Sequence, residues 1–241
     1  MNMQTPRCVY VDFDDILSET ALGFTEVLEQ VFGKRVAFEE IFSFDLGRSF
    51  DLSPEDTAEL MRRMHAPDVL LALRPVQGAR DGLRAWREAG CELHVVTGRP
   101  PATRAVSEQW LRAHDMPYDA LFFVDKYARN HPPCAEDNAI TLDQLSAMRF
   151  CLAVEDSPVM IQFFVQRMTG QLVILDRPWN RHEPGAGRPG GASLPKATGP
   201  GRDGSPSRPG NRATLREADD SCVVRCQNWN EIMRRFPRPG G

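Results

Sequence analysis

Two kinds of hydrophobic pattern alternate along the chain. Short apolar runs at residues 8–11, 93–96, 120–124, 150–154 and 172–175 read as strands, with 222–225 a weaker sixth. Between them, apolar positions recur at helical spacing over residues 19–32, 54–64, 78–89, 101–114, 142–147, 158–168 and 228–235. The punctuation agrees with these bounds. Gly33 and Gly90 stand where helices stop, Ser53 precedes Pro54 as an N-cap, and Pro101 falls in a first turn, where its missing N–H does no harm. From residue 78 onward, helix and strand alternate four times. Such alternation predicts a parallel sheet with helices on both faces.

One gap breaks the alternation. About eighty residues separate the first strand from the second, whereas a single parallel crossover needs only about a dozen. The excess, residues 20–73, reads as a helical cap inserted after the first strand and standing over the strand ends. The core is then residues 1–19 and 74–180, closed by a C-terminal strand and helix in 221–241. Between the core and that ending lies a different kind of sequence. Fourteen of the 27 residues from 184 to 210 are Gly or Pro, and Leu194 is the sole large apolar side chain there. Too little surface can be buried to offset the ordering entropy, so 181–220 is expected to be a disordered insert. Its basic residues lack interleaved aromatic rings for stacking on bases. A solvated loop, not a nucleic-acid arm, is the reading.

Composition narrows the class further. A chain of 241 residues, 41% hydrophobic, suffices for one domain with a real core and is neither a disulfide-stapled miniprotein nor a coiled coil. The net charge of -4 suggests neither a nucleic-acid nor a membrane partner. No apolar run is long enough to span a bilayer, and residues 1–7 are polar. The six cysteines are scattered without a zinc-ligand pattern, so a reduced, cytoplasmic setting is expected. Of the 29 basic residues only three are lysines (Lys34, Lys126 and Lys196).

In open parallel sheets, ligands bind beyond the carboxyl ends of the strands. Asp12, Asp14 and Asp15 follow the first strand, Thr97, Gly98 and Arg99 the second, Asp125 and Lys126 the third, and Glu155, Asp156 and Ser157 the fourth. Carboxylates at that density repel one another unless a cation sits among them. Oxygen donors without His or Cys suit Mg²⁺, and a hydroxyl with an ammonium suits phosphate oxygens. The pattern therefore points to phosphoryl transfer on a small phosphorylated substrate. A GxxxxGK[ST] loop is absent, which excludes a P-loop nucleotide-binding protein.

The ordered stretches CVYVDFDD, HVVTGRP, Lys126 and FCLAVEDSP resemble the four motifs of the haloacid dehalogenase-like hydrolases. The resemblance spans residues 8–175 and implies a three-layer, Rossmann-like α/β fold with the small helical cap. It implies Asp12 as the nucleophile that becomes an aspartyl-phosphate, and Asp14 as general acid and then base. Asp12, the Asp14 carbonyl and Asp156 would hold Mg²⁺, with Glu155 as a further ligand or behind it. Thr97 and the Gly98 N–H would bind phosphate, and Lys126 would neutralise charge. Two departures stand out: Asp15 where the family often has Gly, and Ile16 where it usually has Thr or Val. The stretches LDRPWN (175–180) and QNWNEI (227–232) resemble the ending of the cytosolic-type 5′(3′)-deoxyribonucleotidases, which makes a nucleotide a candidate substrate.

A phosphomutase on the same scaffold and a non-catalytic regulatory module are the competing readings, and a monomer and a homodimer fit equally. Arg99 and Arg177 read as surface or salt-bridged arginines. Phe24, Phe44 and Phe50 read as cap core, Phe13, Trp110, Phe163 and Phe164 as packing, and His94 and His131 as incidental.

Overall fold

The computed structural model describes residues 7–126, 139–181 and 223–240. The Gly/Pro-rich insert, apart from Arg181, lies outside the described residues, as do His131, Cys134 and Cys222.

Seven strands form one all-parallel sheet in the order β4-β3-β2-β1-β5-β6-β7. They are β1 (Arg7–Asp12), β2 (Cys91–Thr97), β3 (Ala120–Val124), β4 (Ala139–Ile140), β5 (Leu152–Glu155), β6 (Gln171–Leu175) and β7 (Val223–Cys226). The helices are α1 (Thr20–Phe32), α2 (Leu46–Phe50), α3 (Pro54–Met64), α4 (Pro67–Ala72), α5 (Ala79–Glu88), α6 (Arg104–Ala113), α7 (Leu142–Ala147), α8 (Pro158–Arg167) and α9 (Trp229–Arg235). Central strands of a parallel sheet are covered on both faces, which explains their unbroken apolar runs. Val9, Tyr10 and Val11 of β1 are all fully buried. Val9 and Val11 pack with Leu93, Val95, Trp86, Trp110 and Trp229 on one face, toward α5, α6 and α9. Tyr10 packs with Val96, Ala153, Leu145, Met160 and Phe164 on the other, toward α7 and α8. The result is three layers.

Helices α1 to α4 follow β1, and their buried residues Leu28, Leu60, Met64 and Leu70 join the first of those cores. Expected caps are present. Ser53 accepts from Asp56 N at 3.0 Å, and Gly33 adopts φ 66° and donates to Glu29 O. Thr141 and Gln144 form a reciprocal capping box at α7.

Three details depart from the sequence reading. Strand β4 was not anticipated, because two residues show no periodicity. Helices α2 and α4 were also missed, at five and six residues. The helix expected over 101–114 divides into a 3₁₀ turn (Pro101–Thr103) and α6. Pro100 and Pro101 have no N–H to give, and the turn closes instead through Thr103 N to Pro100 O at 2.9 Å.

The four tryptophans tie loops to this frame. Trp86 Nε1 donates to Phe236 O at 2.7 Å and Trp110 Nε1 to Leu73 O at 2.7 Å. Trp229 Nε1 reaches Ile16 O at 2.9 Å, fixing the loop that follows β1. Trp179 Nε1 donates to Asp156 Oδ2 at 2.9 Å. Each buried ring thus has its polar edge satisfied at a backbone turn or at the site itself.

Candidate active site

The sheet order reverses direction at β1 and β5, which pair with each other. Crevices form at such switch points. Asp12 is the last residue of β1, Thr97 of β2 and Glu155 of β5, so three strand ends deliver the expected residues to one place. Lys126 arrives two residues past β3 and Asp156 one residue past β5.

Lys126 is the electrostatic centre. Its side chain is fully buried, and its Nζ donates to Asp12 Oδ1 at 2.6 Å and to Glu155 Oε1 at 3.0 Å. Glu155 is itself saturated. Oε1 also accepts from the Tyr10 hydroxyl at 3.0 Å, and Oε2 accepts from the backbone N–H of Asp156 and Ser157 at 2.8 and 2.9 Å. It holds Lys126 and the turn after β5. Asp12, Glu155 and Asp156 offer carboxylate oxygens that all lie within 4.8 Å of one another, and all three are buried. Burial and the Glu155 charge push Asp12 well above the usual carboxylate range, with Lys126 only partly offsetting them. Burial, Glu155 and Asp12 do the same to Asp156. One ammonium does not neutralise this cluster. Crowded hard oxygen donors of this kind suit a small divalent cation.

Asp14 behaves oppositely. Burial pulls its pKa upward, yet Arg99 and the Thr20 hydroxyl outweigh that and hold the carboxyl below its ordinary value. Thr20 Oγ1 donates to Oδ1 at 2.6 Å and Thr97 Oγ1 to Oδ2 at 3.3 Å. Arg99 contributes Nε at 3.0 and 3.2 Å and Nη2 at 2.7 Å. Asp15 sits in the left-handed region at φ 59°, the conformation that glycine adopts most readily. It is held there because its Oδ1 accepts from Ala21 N at 2.9 Å while Arg177 donates to its carbonyl. Burial pushes its carboxyl up to about 7.

Asp12, Asp14, Asp15, Gly98 and Asp156 line a cavity of about 630 Å³ between the strand ends and helices α1 to α4. The far wall includes Phe24, Ile41, Phe44, Met61 and Met64. Phe24 and Phe44, expected to be core, therefore face the cavity, whereas Phe50 is core at 2% exposed. Arg99 is salt-bridged as read, but to a site carboxylate and fully inside the protein. Its role, and those of Thr20 and Trp179, left no mark in the motif spacing.

A sheet of this topology, with those residues at its switch point, defines the class: haloacid dehalogenase-like hydrolases of phosphomonoesters. Residues 6–190 match the model for "5′ nucleotidase, deoxy (pyrimidine), cytosolic type C protein", and the chain belongs to that family. A protein of Halalkalibacterium halodurans with a provisional nucleotidase name is 20% identical over 184 residues, covering 75% of this chain and 85% of its own. A haloacid dehalogenase-like family hydrolase from Streptococcus pneumoniae superposes with a TM-score of 0.50 at 14% identity, over 71% of this chain and 85% of the other. A structure from Clostridium acetobutylicum described as a predicted phosphatase gives 0.49 at 14% identity, again over 71% and 85%. No described helix is long and apolar enough to cross a membrane.

Proposed function

We propose that the chain is a Mg²⁺-dependent phosphomonoesterase that works through an aspartyl-phosphate on Asp12, with a nucleotide-sized substrate. The observation that carries this reading is the buried Asp12–Lys126–Glu155 triad beside Asp156 at the floor of a cavity with an apolar far wall. Asp12, Asp156 and the Asp14 carbonyl are the donor set we assign to Mg²⁺, with Glu155 fixing them from behind. When bound, the ion supplies positive charge against the phosphate and the nucleophile. Lys126 orients Asp12 for attack on phosphorus and favours its ionised form, which the bound ion would complete. An Asp12 oxygen bonds to phosphorus as the ester bond breaks, and the leaving oxygen takes a proton from Asp14. Water then attacks phosphorus, its proton passes to Asp14, and the Asp12–phosphorus bond breaks. Arg99 favours the ionised Asp14 that the second step needs. A phosphomonoester monoanion can pass its proton to Asp14, which then gives it to the leaving oxygen in the first step.

The Gly98 N–H, which borders the cavity, is assigned to the phosphate oxygens, and so is Thr97, whose hydroxyl would have to turn from Asp14 to reach them. Residues 20–73 act as the cap, whose closure excludes water until the phosphoenzyme forms. The family match and the cavity's Phe24 and Phe44 support a nucleotide as the ester. The test is turnover of p-nitrophenyl phosphate and of a panel of nucleoside and sugar monophosphates, with and without Mg²⁺. Mg²⁺-dependent release of phosphate, best on nucleotides, is expected. No turnover on any ester would defeat the proposal.

A further inference from the structure

Arg99 was the least expected member of the site, and its surroundings constrain what it can do. Its side chain is 3% exposed. Nε and Nη2 close on the Asp14 carboxylate, Nη2 also reaches Ser18 Oγ at 3.2 Å, and Nη1 reaches Ser107 Oγ at 3.3 Å. The guanidinium carbon lies 3.9 Å from the Phe13 ring centroid, so a ring carries one face of the plane. The Arg99 N–H donates to Thr97 Oγ1 at 3.1 Å, linking the loop after β2 to the same carboxylate. Arg99 borders the cavity, but these donors are spent on protein acceptors and the plane is stacked, so reaching a phosphate would mean giving up Asp14.

Asp14 itself lies beyond the end of β1, past the β1–β2 ladder, with one isolated bridge to Ser18. Arg99 Nε reaches both carboxylate oxygens and Nη2 reaches Oδ1, a charged fork that fixes the rotamer more firmly than the single hydroxyl contacts from Thr20 and Thr97. We infer that Arg99 is the positioning residue for Asp14, acting on leaving-group protonation through that carboxylate and not by binding substrate phosphate. The inference rests on the hydrolase reading above. Phe13, between the two aspartates, and Ser107 on α6 are the supports that aim the guanidinium. Lysine cannot replace it, because one ammonium offers neither the fork nor the stacking plane.

Leaving-group dependence separates positioning from phosphate binding. Protonation matters most for a poor leaving group, whereas a phosphate contact serves every ester alike. The experiment compares kcat/KM, which reports phosphoryl transfer to Asp12, for β-glycerophosphate and p-nitrophenyl phosphate with Mg²⁺. Arg99→Lys is expected to lose about tenfold or more on the alkyl ester and about threefold or less on the aryl ester. Ser107→Ala, which touches Arg99 and not Asp14, is expected to show the same asymmetry at about threefold, and it covers the case in which Arg99→Lys fails to fold. Equal losses on both esters in either folded variant, or a rise confined to KM, would overturn the inference. No turnover of either ester by the wild-type protein would instead defeat the hydrolase reading, and the inference with it.

Discussion

Asp12 and Asp14 stand two residues apart and are perturbed in opposite directions, one raised by burial beside Glu155, the other lowered by Arg99. Without a cation these directions run opposite to the proposed roles of nucleophile and acid, and a divalent ion beside Asp12 and Asp156 would favour the ionised Asp12. The raised groups make a stability prediction. A carboxyl whose folded pKa exceeds its unfolded value near 3.8 binds its proton more tightly when folded. It favours folding at low pH, and that contribution is lost as pH rises through the folded value. Asp15, pushed up to about 7, acts in the same direction. Metal-free protein should therefore melt at progressively lower temperature from about pH 5 to about pH 8. Mg²⁺ should raise the melting temperature more at the alkaline end, by about 5 °C at saturation. Differential scanning fluorimetry across that range with EDTA or Mg²⁺ checks it, and a flat profile would refute the cluster's assignment. At this scale the motif residues were legible because strand-end spacing gives them away. Arg99 and Thr20 were not, because their partner Asp14 lies 85 and six residues away along the chain and no local pattern encodes a tertiary clamp.

At the scale of elements, α5 and α9 support the site by packing. Gly82 on α5 is in contact with α9: a Cβ there would lie 2.6 Å from the Trp229 ring. Trp229 in turn donates to Ile16 O in the loop after β1. Gly82→Ala should cost about 1–3 kcal/mol by overpacking, read as a lower urea midpoint with unchanged m-value. Trp229→Phe keeps an aromatic side chain but drops the indole N–H and some buried volume, and should cost about 1–3 kcal/mol while loosening the Ile16 turn and lowering kcat. Equal stability and activity in the two variants and the wild type would show that α9 is not a support. Long periodic helices such as α3 were legible to their bounds, because capping and apolar spacing agree there. Short pieces such as β4 and α2 arise from tertiary pairing and packing, which a two- or five-residue window cannot express.

For the molecule as a whole, a parallel sheet and a helical insertion after its first strand were readable from the order of elements and one oversized gap. The cavity between them was not, because which of Phe24, Phe44 and Phe50 faces inward depends on how α1 and α2 dock. Its breadth and apolar far wall predict selectivity for esters that carry a flat ring far enough from phosphorus to reach Phe24 and Phe44. Phe24→Ala should raise KM for a nucleoside monophosphate by about tenfold while changing that for p-nitrophenyl phosphate about twofold or less, in steady-state assays. Asp12→Asn should lower kcat by about a thousandfold or more with the fold retained by circular dichroism. The central claim is a covalent phosphoryl group on Asp12. It is tested most directly by acid-quenching the enzyme during Mg²⁺-supported turnover, reducing it with borohydride and sequencing the peptides by mass spectrometry. Homoserine at position 12, absent without substrate, is the predicted result. Active turnover with position 12 unmodified and the label on another residue, or on none, would contradict the account.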